Sequence, residues 1–144
     1  MVPLTGARHA FYGNFSSEES WMRFSEGLAR AGKSEEAVGL LSNAVRRYPG
    51  SAHLWVGLGN ALVEHSRGVT PPAEFAFRRA AELSPDQPAP AYFYGLALAR
   101  TGDRAAAVVL WREILATAPP DASWRPLIEG SLQAVGDGPG PKPR

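Results

Sequence analysis

The chain has 144 residues, 15 basic and 14 acidic side chains, a formal net charge of +1 and 44% apolar residues. That balance suits one soluble domain with an apolar core, and it leaves no field that would draw nucleic acid or an anionic membrane surface. The absence of cysteine excludes disulfides, thiolate nucleophiles and cysteine metal sites.

No stretch reads as a membrane span: the apolar run Ala105 to Trp111 falls far short of the roughly 18 residues required. Met1 to Phe15 lacks the charged-then-apolar order of a signal peptide. Residues 1–17 contain Pro3, Gly6 and Gly13 with the aromatics Phe11, Tyr12 and Phe15, and show no helical or strand period. They read as an irregular segment whose aromatics cover the flank of the first unit behind it. Ser16 and Glu19 stand at capping-box spacing ahead of the first helix.

The first unit, residues 18–51, reads Trp21-x-x-Phe24-Ser25-x-x-Leu28, Gly32, Ala37-x-x-x-Leu41, Ala44 and Pro49. Apolar residues three and four apart predict helices near Glu18–Ala31 and Glu35–Tyr48. Gly32 ends the first, and Ser34 is placed to accept from the amides opening the second. The second unit, 52–87, reads Trp55-x-x-Leu58-Gly59-x-x-Leu62, Ala73-x-x-x-Phe77 and Pro85. Its turn is lengthened by His65-Ser66-Arg67-Gly68-Val69-Thr70, with Thr70 a good N-cap and Pro71 a good first helical residue. The third, 88–121, reads Ala91-x-x-Tyr94-Gly95-x-x-Leu98, Gly102, Ala107-x-x-x-Trp111 and Pro119. Trp124, Leu127, Ile128 and Leu132 then lie along one side of a closing helix near 122–135. Residues 136–144, rich in Gly and Pro, have the composition of a disordered tail.

Trp21 to Trp55 and Pro85 to Pro119 each span 34 residues, while Pro49 to Pro85 spans 36. This is the signature of the tetratricopeptide repeat (TPR), in which two helices per repeat bury their apolar faces only by stacking on neighbours. The predicted fold is therefore all-α: a right-handed TPR superhelix of three helix-turn-helix repeats over residues 18–135, closed by a C-terminal capping helix. Trp21, Trp55 and Trp111 are expected in the core, since each buries roughly 150–250 Å² when enclosed.

Nothing in the sequence assembles an active site. No phosphate loop, HExxH run or Ser-His-Asp constellation is present. Of the histidines His9, His53 and His65, the last two are about 18 Å apart along one helix, too far to share an ion. The chain reads as a non-enzyme without metal or cofactor. What remains is the inner wall of the stack, lined by the first helix of each hairpin. That wall takes Glu19, Met22, Glu26 and Arg30 from the first repeat, His53, Val56, Asn60 and Val63 from the second, and Tyr92, Phe93, Leu96 and Arg100 from the third. Its apolar strip, with Asn60 at the middle and charges at the edges, suits an amphipathic helix or an extended peptide. The competing reading packs Tyr92, Phe93 and Leu96 beneath the cap.

A narrower likeness lies in Leu54-Trp55-Val56-Gly57-Leu58-Gly59-Asn60-Ala61-Leu62-Val63, Val69-Thr70-Pro71 and Phe77-Arg78-Arg79-Ala80-Ala81-Glu82-Leu83-Ser84-Pro85. Tyr94-Gly95-Leu96-Ala97-Leu98, Trp111 and Ala118-Pro119-Pro120-Asp121-Ala122-Ser123-Trp124-Arg125 extend it. Together these resemble the periplasmic TPR region of c-type cytochrome biogenesis factors of the CcmI/CycH type. The resemblance implies a non-catalytic subunit that holds the C-terminal helix of an unfolded apocytochrome c for haem-lyase partners in the periplasm. Members of that family carry membrane helices ahead of this region, and none is expected in this chain. The alternative is a general TPR scaffold for complex assembly or self-association through the Trp124 cap or the N-terminal aromatics. The clamp by which other TPR domains grip a chaperone's terminal carboxylate is absent, because Met22, Glu26, Gly57, Ala89 and Phe93 stand at its positions.

Overall fold

The computed structural model describes residues 4–12 and 17–136, all of whose regular structure is helical. The helices are α1 (Leu4–Tyr12), α2 (Ser17–Arg30), α3 (Ser34–Arg47), α4 (Ala52–Ser66), α5 (Pro71–Leu83), α6 (Ala89–Arg100), α7 (Arg104–Thr117) and α8 (Arg125–Ala134). α2 pairs with α3, α4 with α5, and α6 with α7. α4 also packs on α2, α3 and α6, so the hairpins form one continuous stack, and α8 closes it against α7.

Each boundary has a local cause. Gly32 and Gly102 take positive φ, 81° and 109°. The amides of Lys33 and Asp103 then reach back to the carbonyls of Leu28 and Leu98, each at 2.8 Å. Those are Schellman closures, which satisfy carbonyls left open at a helix end. Thr70 caps α5 through the Ala73 amide, with Pro71 first in the helix. The extra residues of the second unit are absorbed by α4 running on to Ser66, where Arg67 adopts φ 57° and donates its amide to Val63. Ser34 does not cap α3. It is the first helical residue, and its hydroxyl meets His65 Nδ1 at 2.8 Å.

Two glycines set the distance between paired helices. A Cβ on Gly59 would stand 2.8 Å from the Phe77 ring, and one on Gly95 would stand 2.5 Å from Trp111 Nε1. Each small residue thus receives the aromatic of the partner helix at the same place in its hairpin. Trp111 is fully buried, donates its indole N–H to the Tyr92 carbonyl at 3.1 Å and stacks on the Tyr92 ring. Trp55 is only half-buried: its indole N–H donates to the Pro49 carbonyl at 2.9 Å and its ring meets Phe75 edge-on. Trp21 is half-buried as well.

The N-terminal region departs from the sequence expectation. Residues 4–12 form a helix, α1, rather than an irregular segment, and its Phe11 packs on Tyr92, Phe93 and Trp124 rather than on the first hairpin, while the Tyr12 side chain and Phe15 lie outside the described residues. Phe24 therefore remains 62% exposed. Its counterparts differ because each has a preceding hairpin to pack on: Leu58 joins Leu41, Ala44 and Val45 of α3, and Tyr94 stacks on Phe77 of α5. The expected disordered tail beyond residue 136, and Ser16 of the expected capping box, lie outside the described residues.

Candidate functional site

The first helices of the three hairpins form the inner wall, and α1 lies on it. Leu4, Ala7, Arg8 and Phe11 recur at the three- and four-residue spacing of one helix face. Ala7 is fully buried in a cluster with Val56, Tyr92, Phe93 and Leu96, with Leu4 and Phe11 packed against the same cluster. The Phe11 ring lies 5.4 Å from that of Tyr92, 5.9 Å from Phe93 and 6.2 Å from Trp124.

Arg8 is 1% exposed and faces two carboxylates of α2. Its Nε and Nη2 donate to Glu19 at 2.9 and 2.6 Å, and Nη1 and Nη2 donate to Glu26. Burial opposes the Arg8 charge, but the hydrogen bonds and charges of Glu19 and Glu26 outweigh it and hold the guanidinium more firmly protonated than usual. Glu19 also stands 3.7 Å from Arg23 and from His53 Nε2. Burial, helped by the Arg8 charge and opposed by Glu18 and Glu19, pulls the His53 pKa below its ordinary value. His53 is accordingly neutral at pH 7.

A cavity of about 320 Å³ remains between α1 and the first two hairpins. Leu4, Met22, Leu41 and Ala61 give it apolar walls, and Arg8, Glu26, Arg30, Asn60 and Glu64 give it polar ones. Asn60 Nδ2 is buried there without a hydrogen-bond partner among the described residues. A buried amide donor left open in this way is one that a ligand carbonyl or an ordered water would satisfy.

The sequence-selected wall residues separate into groups. Met22, Glu26, Arg30 and Asn60 come together on the cavity. Arg100 sits at the rim, its Nη2 3.4 Å from Glu64 Oε1. His53, Val56 and Val63 are buried rather than open, because α6 packs on α4 and α1 lies over the wall. Tyr92, Phe93 and Leu96 are likewise sealed, which corrects the expectation of an open apolar strip in the third repeat. Phe11 covers them from one side and α8 from the other, with Tyr92 Oη hydrogen-bonded to Ser131 Oγ at 2.8 Å. The sequence reading missed Arg8 and set Phe11 against the first unit instead of Tyr92, Phe93 and Trp124; the signal was the stripe at 4, 7, 8 and 11, obscured by a cation inside it and by glycines at 6 and 13. Among the described residues no group of His, Asp or Glu is arranged to hold a metal ion, and no helix is long and apolar enough to cross a membrane.

Fold and site together define a class: an all-helical scaffold of stacked hairpins, compatible with a helical repeat, with the short helix α1 packed on residues of α2, α4 and α6. Comparison with known proteins gives the particular relatives. The chain is 36% identical over 126 residues to cytochrome c-type biogenesis protein CycH of Bradyrhizobium diazoefficiens, covering 87% of this chain and 34% of that protein. It is 33% identical over 115 residues to CycH of Rhizobium meliloti, covering 77% of this chain and 30% of that one. The chain thus spans about a third of the length of the relatives it matches. No family model matches it. Over the shared region the chain is thus similar to these two cytochrome c-type biogenesis proteins.

Proposed function

We propose that this chain is a TPR peptide-holding module of the CcmI/CycH type, non-catalytic and periplasmic, that retains the C-terminal amphipathic helix of apocytochrome c for haem ligation. The observation that carries the reading is the convergence of Met22, Glu26, Arg30 and Asn60 on one cavity beside a wall that already accommodates a helix. An apolar floor with an open amide donor and charged edges suits a helix end or a bent peptide segment, whose carbonyls need donors and whose side chains need cover. The names of the relatives supply the process in which such a ligand is handled.

The reading is tested by titrating a labelled synthetic C-terminal helix of a c-type cytochrome into the chain and following anisotropy. Saturable binding that weakens in Met22→Ala and Asn60→Ala supports it; no binding at hundreds of micromolar removes it. The second reading, a scaffold that assembles through its first hairpin, is favoured by the open flank at Trp21 and Phe24. Light scattering decides it: a dimer lost in Phe24→Glu supports a scaffold, and a concentration-independent monomer removes self-association.

A further inference from the structure

We infer that α1 is a built-in occupant of the inner wall, and that the wall selects a helix carrying a cation and, three residues further on, an aromatic. The inference deepens the peptide-holding reading and rests on it for the identity of the natural ligand, though not for the existence of the receptor surface.

Two subsites on the wall are filled by two side chains of α1. The acidic one consists of Glu19 and Glu26, whose side chains are 3% and 20% exposed and which grip the Arg8 guanidinium. The aromatic one is made by Tyr92, Phe93 and Trp124 around Phe11. Arg8 and Phe11 are three residues apart, so one helix face reaches both. With α1 in place the Glu19 side chain is 3% exposed and bonded to Arg8; an incoming helix that covers Glu19 again without bringing a cation buries the carboxylate without that partner. Charge complementarity therefore discriminates between ligands, and the aromatic subsite fixes their register.

The hold on α1 is also one that a ligand can break. A helix of nine residues is marginal by itself, and α1 depends on the wall for its structure. Its tie to α2 is short, so it competes at a high effective concentration, on the order of millimolar. The wall is thus guarded against weak or acidic ligands and opens to a helix that fills both subsites better than α1 does.

The test uses the full chain and a labelled synthetic peptide with the sequence of residues 1–14. Arg8→Ala/Phe11→Ala in the chain frees the wall, so this variant is expected to bind the peptide at least about tenfold more tightly than the wild-type chain, where α1 competes. An Arg8→Glu change in the peptide is expected to reduce its binding to the variant on the order of a hundredfold, as truncating a buried charge pair does. Equal binding by both chains, no binding by either, or indifference to the Arg8→Glu change overturns the inference. Circular dichroism verifies that the double variant is folded, and Ala7→Glu, which pushes α1 off by placing a charge at a closed contact, is the second route to the same state. The apocytochrome peptide run alongside separates the two claims. If it binds both chains equally, the occupant inference fails while the proposed function stands. If only the residue 1–14 peptide binds, the reverse holds.

Discussion

The close approach of α6 to α7 is tested by adding one methyl group at Gly95. A Cβ there would lie 2.5 Å from Trp111 Nε1, 3.0 Å from Cε2 and 3.1 Å from Cδ1, so the helices must separate by the better part of an ångström or the indole must turn. The indole is held by its bond to the Tyr92 carbonyl and by stacking on the Tyr92 ring, so the strain falls on the helix pair. Overpacking of this kind costs about 1–3 kcal/mol, against which alanine returns about 1 kcal/mol through its better helix propensity. Gly95→Ala should thus be destabilised by up to about 2 kcal/mol, a fall in Tm of up to about 4–8 °C for a domain of this size. Gly39→Ala, where an added Cβ meets nothing, isolates the propensity term and should gain up to about 1 kcal/mol. Gly57→Ala should fall between them, because the atoms it meets are the sulfur and terminal methyl of Met22, a flexible side chain bordering the cavity. Thermal melts followed by circular dichroism rank the three. Equal stability of Gly95→Ala and Gly39→Ala would refute the account of how glycine and aromatic set the hairpin spacing.

Four further outcomes follow from the same geometry. Tyr92→Phe should lower stability by about 0.5–1.5 kcal/mol in urea titrations, and Tyr92→Phe with Ser131→Ala should cost less than the sum of the two, since they share one buried bond. Arg67→Gly should raise stability by about 0.5–1 kcal/mol by relieving the left-handed backbone at φ 57°. Asn60→Ala should leave stability unchanged, as Nδ2 makes no bond to lose among the described residues, while weakening peptide binding about fivefold by calorimetry. His53 has a folded pKa below its unfolded value of about 6.5, so the unfolded chain takes up the proton first. Its contribution to stability is fully present above pH 6.5 and is lost as the pH falls from there through the folded pKa. His53→Gln should flatten the wild-type fall in urea midpoint over that window.

The repeat region was legible because its signals are redundant. Gly32 and Gly102, Thr70 with Pro71, and the pairing of Gly59 with Phe77 and Gly95 with Trp111 each mark an element by local backbone chemistry or by size. The exposure of Phe24 was not legible, since periodicity places it on the same face as Leu58 and only the stack decides whether anything lies opposite. Met22, Glu26, Arg30 and Asn60, selected from their offset to the core face, line the cavity. The sealing of Tyr92, Phe93 and Leu96 could not, because it is a tertiary event: a short helix with a cation in its apolar stripe crosses to them from a distant part of the chain. Arg8 breaks the hydrophobic pattern for the same reason that it matters, its charge being matched by carboxylates that the sequence places on another helix.

The central claim is that the inner wall of this stack is a receptor for an amphipathic helix. It is tested most directly by amide chemical-shift mapping of the isotopically labelled chain during titration with an apocytochrome c C-terminal helix. The account predicts shifts concentrated on α2, α4 and α6, including Glu26 and Asn60, together with resonances of α1 moving toward random-coil values as it is displaced. Shifts confined to α3, α5 and α7, or none at all at saturating peptide, would contradict it.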